Sequence, residues 1–164
     1  MEPFADAPAW AGALEASPLG VLMRSSFLLY PLANIGHIFG LVLFVGAVVV
    51  LDLRLLLRRW PALPADALSR ALTPVMLVGL GVMLVSGTLL FSADARPLTV
   101  NPAIRVKAVL IVLGLANALA FRLLWRAHLA DWDRSAPPFA RAQVVVSLLG
   151  WLATAASGRM IGYL

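Results

Sequence analysis

The chain has 164 residues, 62% of them hydrophobic and 13% charged, with a mean hydropathy of +0.92 and a formal net charge of +5. A soluble domain is about half apolar and a quarter charged, so a soluble globular enzyme is excluded and an all-α integral membrane protein is expected. The absence of cysteine excludes a disulfide framework, an iron–sulfur cluster and a thiolate-bound haem.

The chain opens Met1-Glu2-Pro3-Phe4-Ala5-Asp6, acidic where a cleaved signal peptide carries positive charge, so the first apolar run is expected to stay as a span. Residues 1–28 read as a periplasmic segment, with a short amphipathic interfacial helix over Ala7–Ser17 carrying Trp10, Leu14 and Glu15. Pro18, Gly20 and Ser25-Ser26 then lead into the membrane. Residues 29–164 read as one bundle of four spans. The first lies at about 29–51 and the second at about 71–93, with Pro74 in its first turn, where proline does little harm. The third, at about 102–125, opens on Asn101-Pro102, a cap followed by proline at the first helical position. The fourth covers about 140–163. Trp60-Pro61…Pro64 and Pro137-Pro138 read as loops.

The arginines give the orientation. Arg54, Arg58, Arg59 and Arg70 lie between spans one and two, and Arg122, Arg126, Arg134 and Arg141 between spans three and four. The opposite edge offsets its basic residues with Glu2, Asp6, Glu15 and Asp94. Short cytoplasmic loops carry the Lys/Arg excess, which predicts a bacterial inner-membrane protein with both termini periplasmic. The charge orients the chain in its bilayer, and no nucleic-acid partner is expected.

Polar side chains inside a membrane are costly, and each raises a functional question. His37 lies within span one, with Asn34 three residues earlier on the same face. Met83, Lys107 and Arg159 stand at similar depth on the other spans, and Arg105 lies nearby. A b-type haem would use these types together. His37 would be its axial metal ligand and Met83 a candidate second one. Gly36, Gly40, Gly79, Gly81 and Gly87 would give space for the ring, and Lys107, Arg159 or Arg105 would meet the propionates. Packing offers a reading for the same residues: His37 as a hydrogen-bonding group between helices, the glycines as close-packing devices, Lys107 and Arg159 as snorkelling anchors. His128 falls at the other membrane edge, so a bis-histidine site within one chain is excluded. Asp52-Leu53-Arg54 reads as a headgroup-level ion pair, Asn117 as a hydrogen-bonding group between helices, and Trp151 and Thr154 as packing. No acidic residue is expected deep in a span, which argues against a proton-driven carrier. Phosphate-loop, Gly-x-Ser-x-Gly and His-Glu-x-x-His signatures are missing.

Pro31…His37…Gly40, Asp52-Leu53-Arg54, Asn101…Lys107 and Trp151…Gly158-Arg159…Tyr163 occur in an order that resembles a bacterial family of small four-span membrane proteins of unknown function, over about residues 17–163. The chain is also distantly similar to CopD-like and cytochrome b561-like four-helix membrane proteins, in which histidines on spans bind haem or accompany copper handling. It departs from the b561-like pattern in having one intramembrane histidine where that pattern has pairs. The first resemblance implies a fold without an activity. The resemblance implies His37, Asp52, Arg54, Lys107 and Arg159 as the positions to test.

The leading functional expectation is therefore a haem-b protein passing electrons near the periplasmic face, to a redox partner or a quinone. Two alternatives stand beside it. One is a non-catalytic accessory or assembly protein that forms homo-oligomers through its glycine-rich faces. The other is a lipid- or small-ligand-binding protein whose pocket is built from Arg159, Lys107, Arg105 and His37. Whether the chain is an enzyme stays open.

Overall fold

A computed structural model describes residues 4, 6–57 and 62–163. Glu2, Arg58, Arg59 and the Trp60-Pro61 joint lie outside the described residues. The fold is an all-α bundle containing four helices long and apolar enough to cross a membrane. In chain order the helices are α1 (Ala9–Glu15), α2 (Pro18–Ser25), α3 (Leu29–Leu57), α4 (Ala65–Ala93), α5 (Ala95–Val100), α6 (Pro102–Trp125), α7 (Trp132–Ser135) and α8 (Pro138–Met160). A 3-10 helix, Arg126–Asp131, precedes α7. The long helices α3, α4, α6 and α8 form the bundle. The end carrying α1, α2 and α5 is called the terminal face below, and the opposite end the loop face.

Helices α3 and α4 each have 29 residues, about 43 Å at 1.5 Å per residue, which exceeds a hydrocarbon core of about 30 Å. Their loop-face ends therefore reach headgroup level. This changes the place of Pro74: because α4 begins at Ala65, Pro74 stands inside the helix instead of in its first turn. Its ring nitrogen has no hydrogen to give, so the Arg70 carbonyl lacks its usual helical donor. Asn101 caps α6, its Oδ1 accepting the Ala103 N–H at 2.9 Å, with Pro102 at the first position.

The terminal segment is two helices where the sequence suggests one helix and a connector. Ser17 ends α1 by donating to the Leu14 carbonyl and starts α2 by accepting from the Gly20 N–H. The pair is tied down by charge. Glu15 accepts the backbone N–H and the Nε–H of Arg96, both at 2.7 Å, and Arg24 donates to the carbonyls of Ala93 and Glu15. Met23 is buried between Ala33 and Ala93, and Trp10 stacks on Phe91.

Among the long helices, α3 packs on α4, α3 on α8, and α8 on α6, while α4 and α6 scarcely touch. Glycine makes the first of these seams close. A Cβ on Gly79 would stand 2.6 Å from the Phe44 nitrogen, and one on Gly40 2.9 Å from the Gly79 carbonyl oxygen. Gly114 gives the same closeness to α6 and α8, seating the Trp151 ring, which in turn meets Phe44 edge-on at 4.5 Å. Asn117 donates to the Gln143 carbonyl at 3.1 Å, so it does bond between helices. At the loop face Leu55, Ala65, Leu129, Trp132, Ala140 and Val144 form the largest buried cluster. Trp132 donates to the Leu55 carbonyl at 2.9 Å.

Candidate functional site

The terminal half of the bundle holds the residues singled out for haem. His37 is half-buried between α3 and α4, its Nδ1 3.0 Å from Ser86 Oγ. That hydroxyl donates to the Val82 carbonyl at 2.6 Å. A hydroxyl has one proton, so when Ser86 gives it to Val82 it accepts from Nδ1–H of the ring. Gly87 makes room for the ring, since a Cβ there would lie 3.3 Å from Cε1.

The other predicted residues divide. Lys107 turns inward from α6 against Gly158 of α8. Met83 lies against Gly40 in the α3–α4 seam. Arg159 is exposed and turned to Tyr163, donating to its hydroxyl at 2.8 Å. Arg105 is exposed and reaches back to the Thr99 carbonyl, and Asn34 is exposed. Of the glycines, Gly40 and Gly79 are consumed by helix packing, while Gly36 and Gly81 have nothing beside them. His128 sits in the 3-10 helix, edge-on to Trp125. No group of three or more His, Cys, Asp or Glu side chains able to hold a metal occurs among the described residues.

The loop-face half holds a cavity of about 610 Å³, within the range of small-molecule sites. It fills the gap between α4 and α6, backed by α3 and α8. The 3-10 helix closes its loop-face end by packing on α4, with Leu129 in the buried cluster that includes Leu55 and Ala65. Its polarity is graded. Asp66, Arg70, Arg122 and Arg126 line the loop-face end, and Phe44, Leu80, Leu115 and Trp151 line the other. From Asp66 to Leu80 on α4 is fourteen residues, about 21 Å.

One sequence reading changes here. Asp52 and Arg54 do not form an ion pair. Arg54 is wholly buried, and it donates from Nη1 and Nη2 to the two oxygens of Asp133 at 2.9 and 2.7 Å and from Nε to the Leu63 carbonyl at 2.9 Å. Asp52, 6% exposed, lines the cavity instead. Ser147 acts on its carboxyl group, yet its Oδ2 has no hydrogen-bond partner among the described residues. This acidic side chain is thus buried in the protein near the loop-face end of α3. The signal was present in the spacing: residues two apart on a helix point about 200° from one another.

The family of unknown function DUF6644 matches the chain over residues 10–164. The chain belongs to that family. No curated protein and no solved structure matches this DUF6644 member, so the likeness to CopD-like and cytochrome b561-like proteins gains no support from either comparison.

Proposed function

We propose that this protein binds a membrane amphiphile with a phosphate-bearing headgroup in the cleft between α4 and α6, at the cytoplasmic leaflet of a bacterial inner membrane. The observation that carries the reading is the graded cavity, with its charged residues at the loop face, its apolar walls toward the bundle middle, and a lateral gap where α4 and α6 do not pack. A lipid has the same order of parts. Arg122 and Arg126 are exposed and make no ion pair or hydrogen bond among the described residues, so two guanidinium groups are free for a phosphate, which they can bind through paired N–H donors. The arginine excess on the loop face supports its cytoplasmic position.

Native mass spectrometry of the detergent-purified protein tests this reading. The wild type is expected to retain phospholipid, and Arg122→Ala/Arg126→Ala to lose it by about tenfold or more. Ala118→Trp, which fills the cavity, is expected to empty it. Equal retention by all three proteins would overturn the reading.

A second reading is favoured by one observation, the His37–Ser86 contact. Nδ1 lies 3.0 Å from Ser86 Oγ, and an outer contact of this kind orients an imidazole whose other nitrogen binds a metal. The reading is a haem-b electron-transfer protein with His37 as axial ligand and Lys107 as a propionate partner, in line with the distant CopD-like and b561-like resemblance. Its expected signature is a Soret band with reduced α and β bands that vanish in His37→Ala. Colourless protein from haem-supplied cells would sink it.

A further inference from the structure

The cleft holds a buried carboxyl and two guanidinium groups that its own residues leave unmatched. Asp52 is buried against the cavity with one carboxylate oxygen lacking a donor. Its cationic neighbours are occupied: Arg54 is held by Asp133 and Leu63, and Arg70 donates to Asp66 at 2.7 Å. Arg122 and Arg126 stand at the same end of the cavity with no anion of their own among the described residues. A buried charge without a partner is costly, and in a bilayer water is scarce to replace that partner.

Resting on the amphiphile reading above, the geometry points to a zwitterionic aminophospholipid as the ligand, its phosphate held by Arg122 and Arg126 and its primary ammonium by Asp52. The parts of the headgroup match the parts of the cleft. A phosphate answers the two guanidinium groups, and an ammonium a short linker away supplies both the charge and the N–H donors that the Asp52 carboxyl lacks. Oδ2, which lacks a donor, is itself enclosed, and the broad, two-fold terminal torsion of Asp lets the carboxyl turn so that either oxygen meets the cavity. A headgroup with phosphate alone satisfies the arginines and leaves Asp52 unmatched. A trimethylated ammonium has the charge but no N–H to donate. Asp52 thus acts as a specificity residue, and Arg122 and Arg126 as anchors common to all phospholipids.

The test is competition in mixed micelles containing equal amounts of phosphatidylethanolamine, phosphatidylglycerol and phosphatidylcholine of identical chains, with retained lipid counted by native mass spectrometry. Wild type is expected to favour the ethanolamine lipid by about tenfold over each of the others, in line with loss of one partner of a buried charge pair. Asp52→Asn is expected to lose that preference, its retention of the ethanolamine lipid falling about tenfold to the level of the other two. If the wild type retains the three lipids equally, the inference falls, and this arm needs no variant to fold. If Asp52→Asn keeps the preference, Asp52 is not its source and the inference falls while the cleft reading stands. If retention does not depend on Arg122 and Arg126, the cleft reading fails with it.

Discussion

Asp52 and Arg54 share three residues of α3 and meet different surroundings because the helix turns them to opposite sides. Arg54 swings under the bundle to Asp133, 79 residues away, and the fork of its guanidinium matches both carboxylate oxygens. Asp133 keeps 40% of its side chain exposed, so the desolvation cost of this pair falls mainly on the arginine, which a third hydrogen bond to Leu63 helps to offset. Glycine acts at the same scale. Gly79 stands where any side chain would meet backbone atoms of α3, and backbone cannot move aside as a flexible side chain can. Gly79→Leu is expected to destabilise the α3–α4 pair by about 1–3 kcal/mol or more, seen as a lower melting temperature in detergent. Gly81→Leu, at a glycine with open space beside it, serves as the control and should melt like wild type.

At the scale of elements, the terminal cap is held by the Glu15–Arg96 ion pair, whereas the three seams between long helices carry none among the described residues. Burial pulls the Glu15 carboxyl up, but hydrogen bonds from the Arg96 side chain and backbone, with the charges of Arg96 and Arg24, outweigh it and hold the group below its ordinary value of 4.5. A carboxyl depressed in the folded state adds stability that is fully present above its unfolded pKa and disappears as pH falls through the lower folded one. The cap is therefore expected to stay docked at neutral pH and to loosen only below about pH 4.5. The Trp10 contribution to fluorescence, taken as wild type minus Trp10→Phe, reads this through the Trp10–Phe91 contact. Glu15→Gln should show the loosened signal already at pH 7, and a Trp10 signal unchanged by acid or by that substitution would show that other contacts hold the cap.

Across the whole molecule, what could be read in advance follows from what hydropathy records. Long apolar runs mark the four long helices, and Asn101-Pro102 marks the start of α6, because length and caps are local properties of the chain. The rotation of each helix about its axis is not local. Hydrophobic residues surround these helices on all sides, so nothing in the period separates the face toward α8 from the face toward lipid. His37, Lys107 and Arg159 could accordingly be set at one depth from the sequence, while the turning of Lys107 inward and Arg159 outward to Tyr163 could not. The cleft was hidden for the same reason, since Arg122 and Arg126 are, as letters, only two more positive charges in a loop-face excess.

The missing contact between α4 and α6 also bears on what completes the bundle. Three seams join the four long helices, protein against protein. The fourth side is closed at the loop face by the 3-10 helix and left open along the cavity. In a bilayer the chains of neighbouring lipids lie against that side and supply the dispersion contacts that a helix would otherwise give. One wall of the core is thus borrowed from the solvent, and it is exchanged whenever the membrane is.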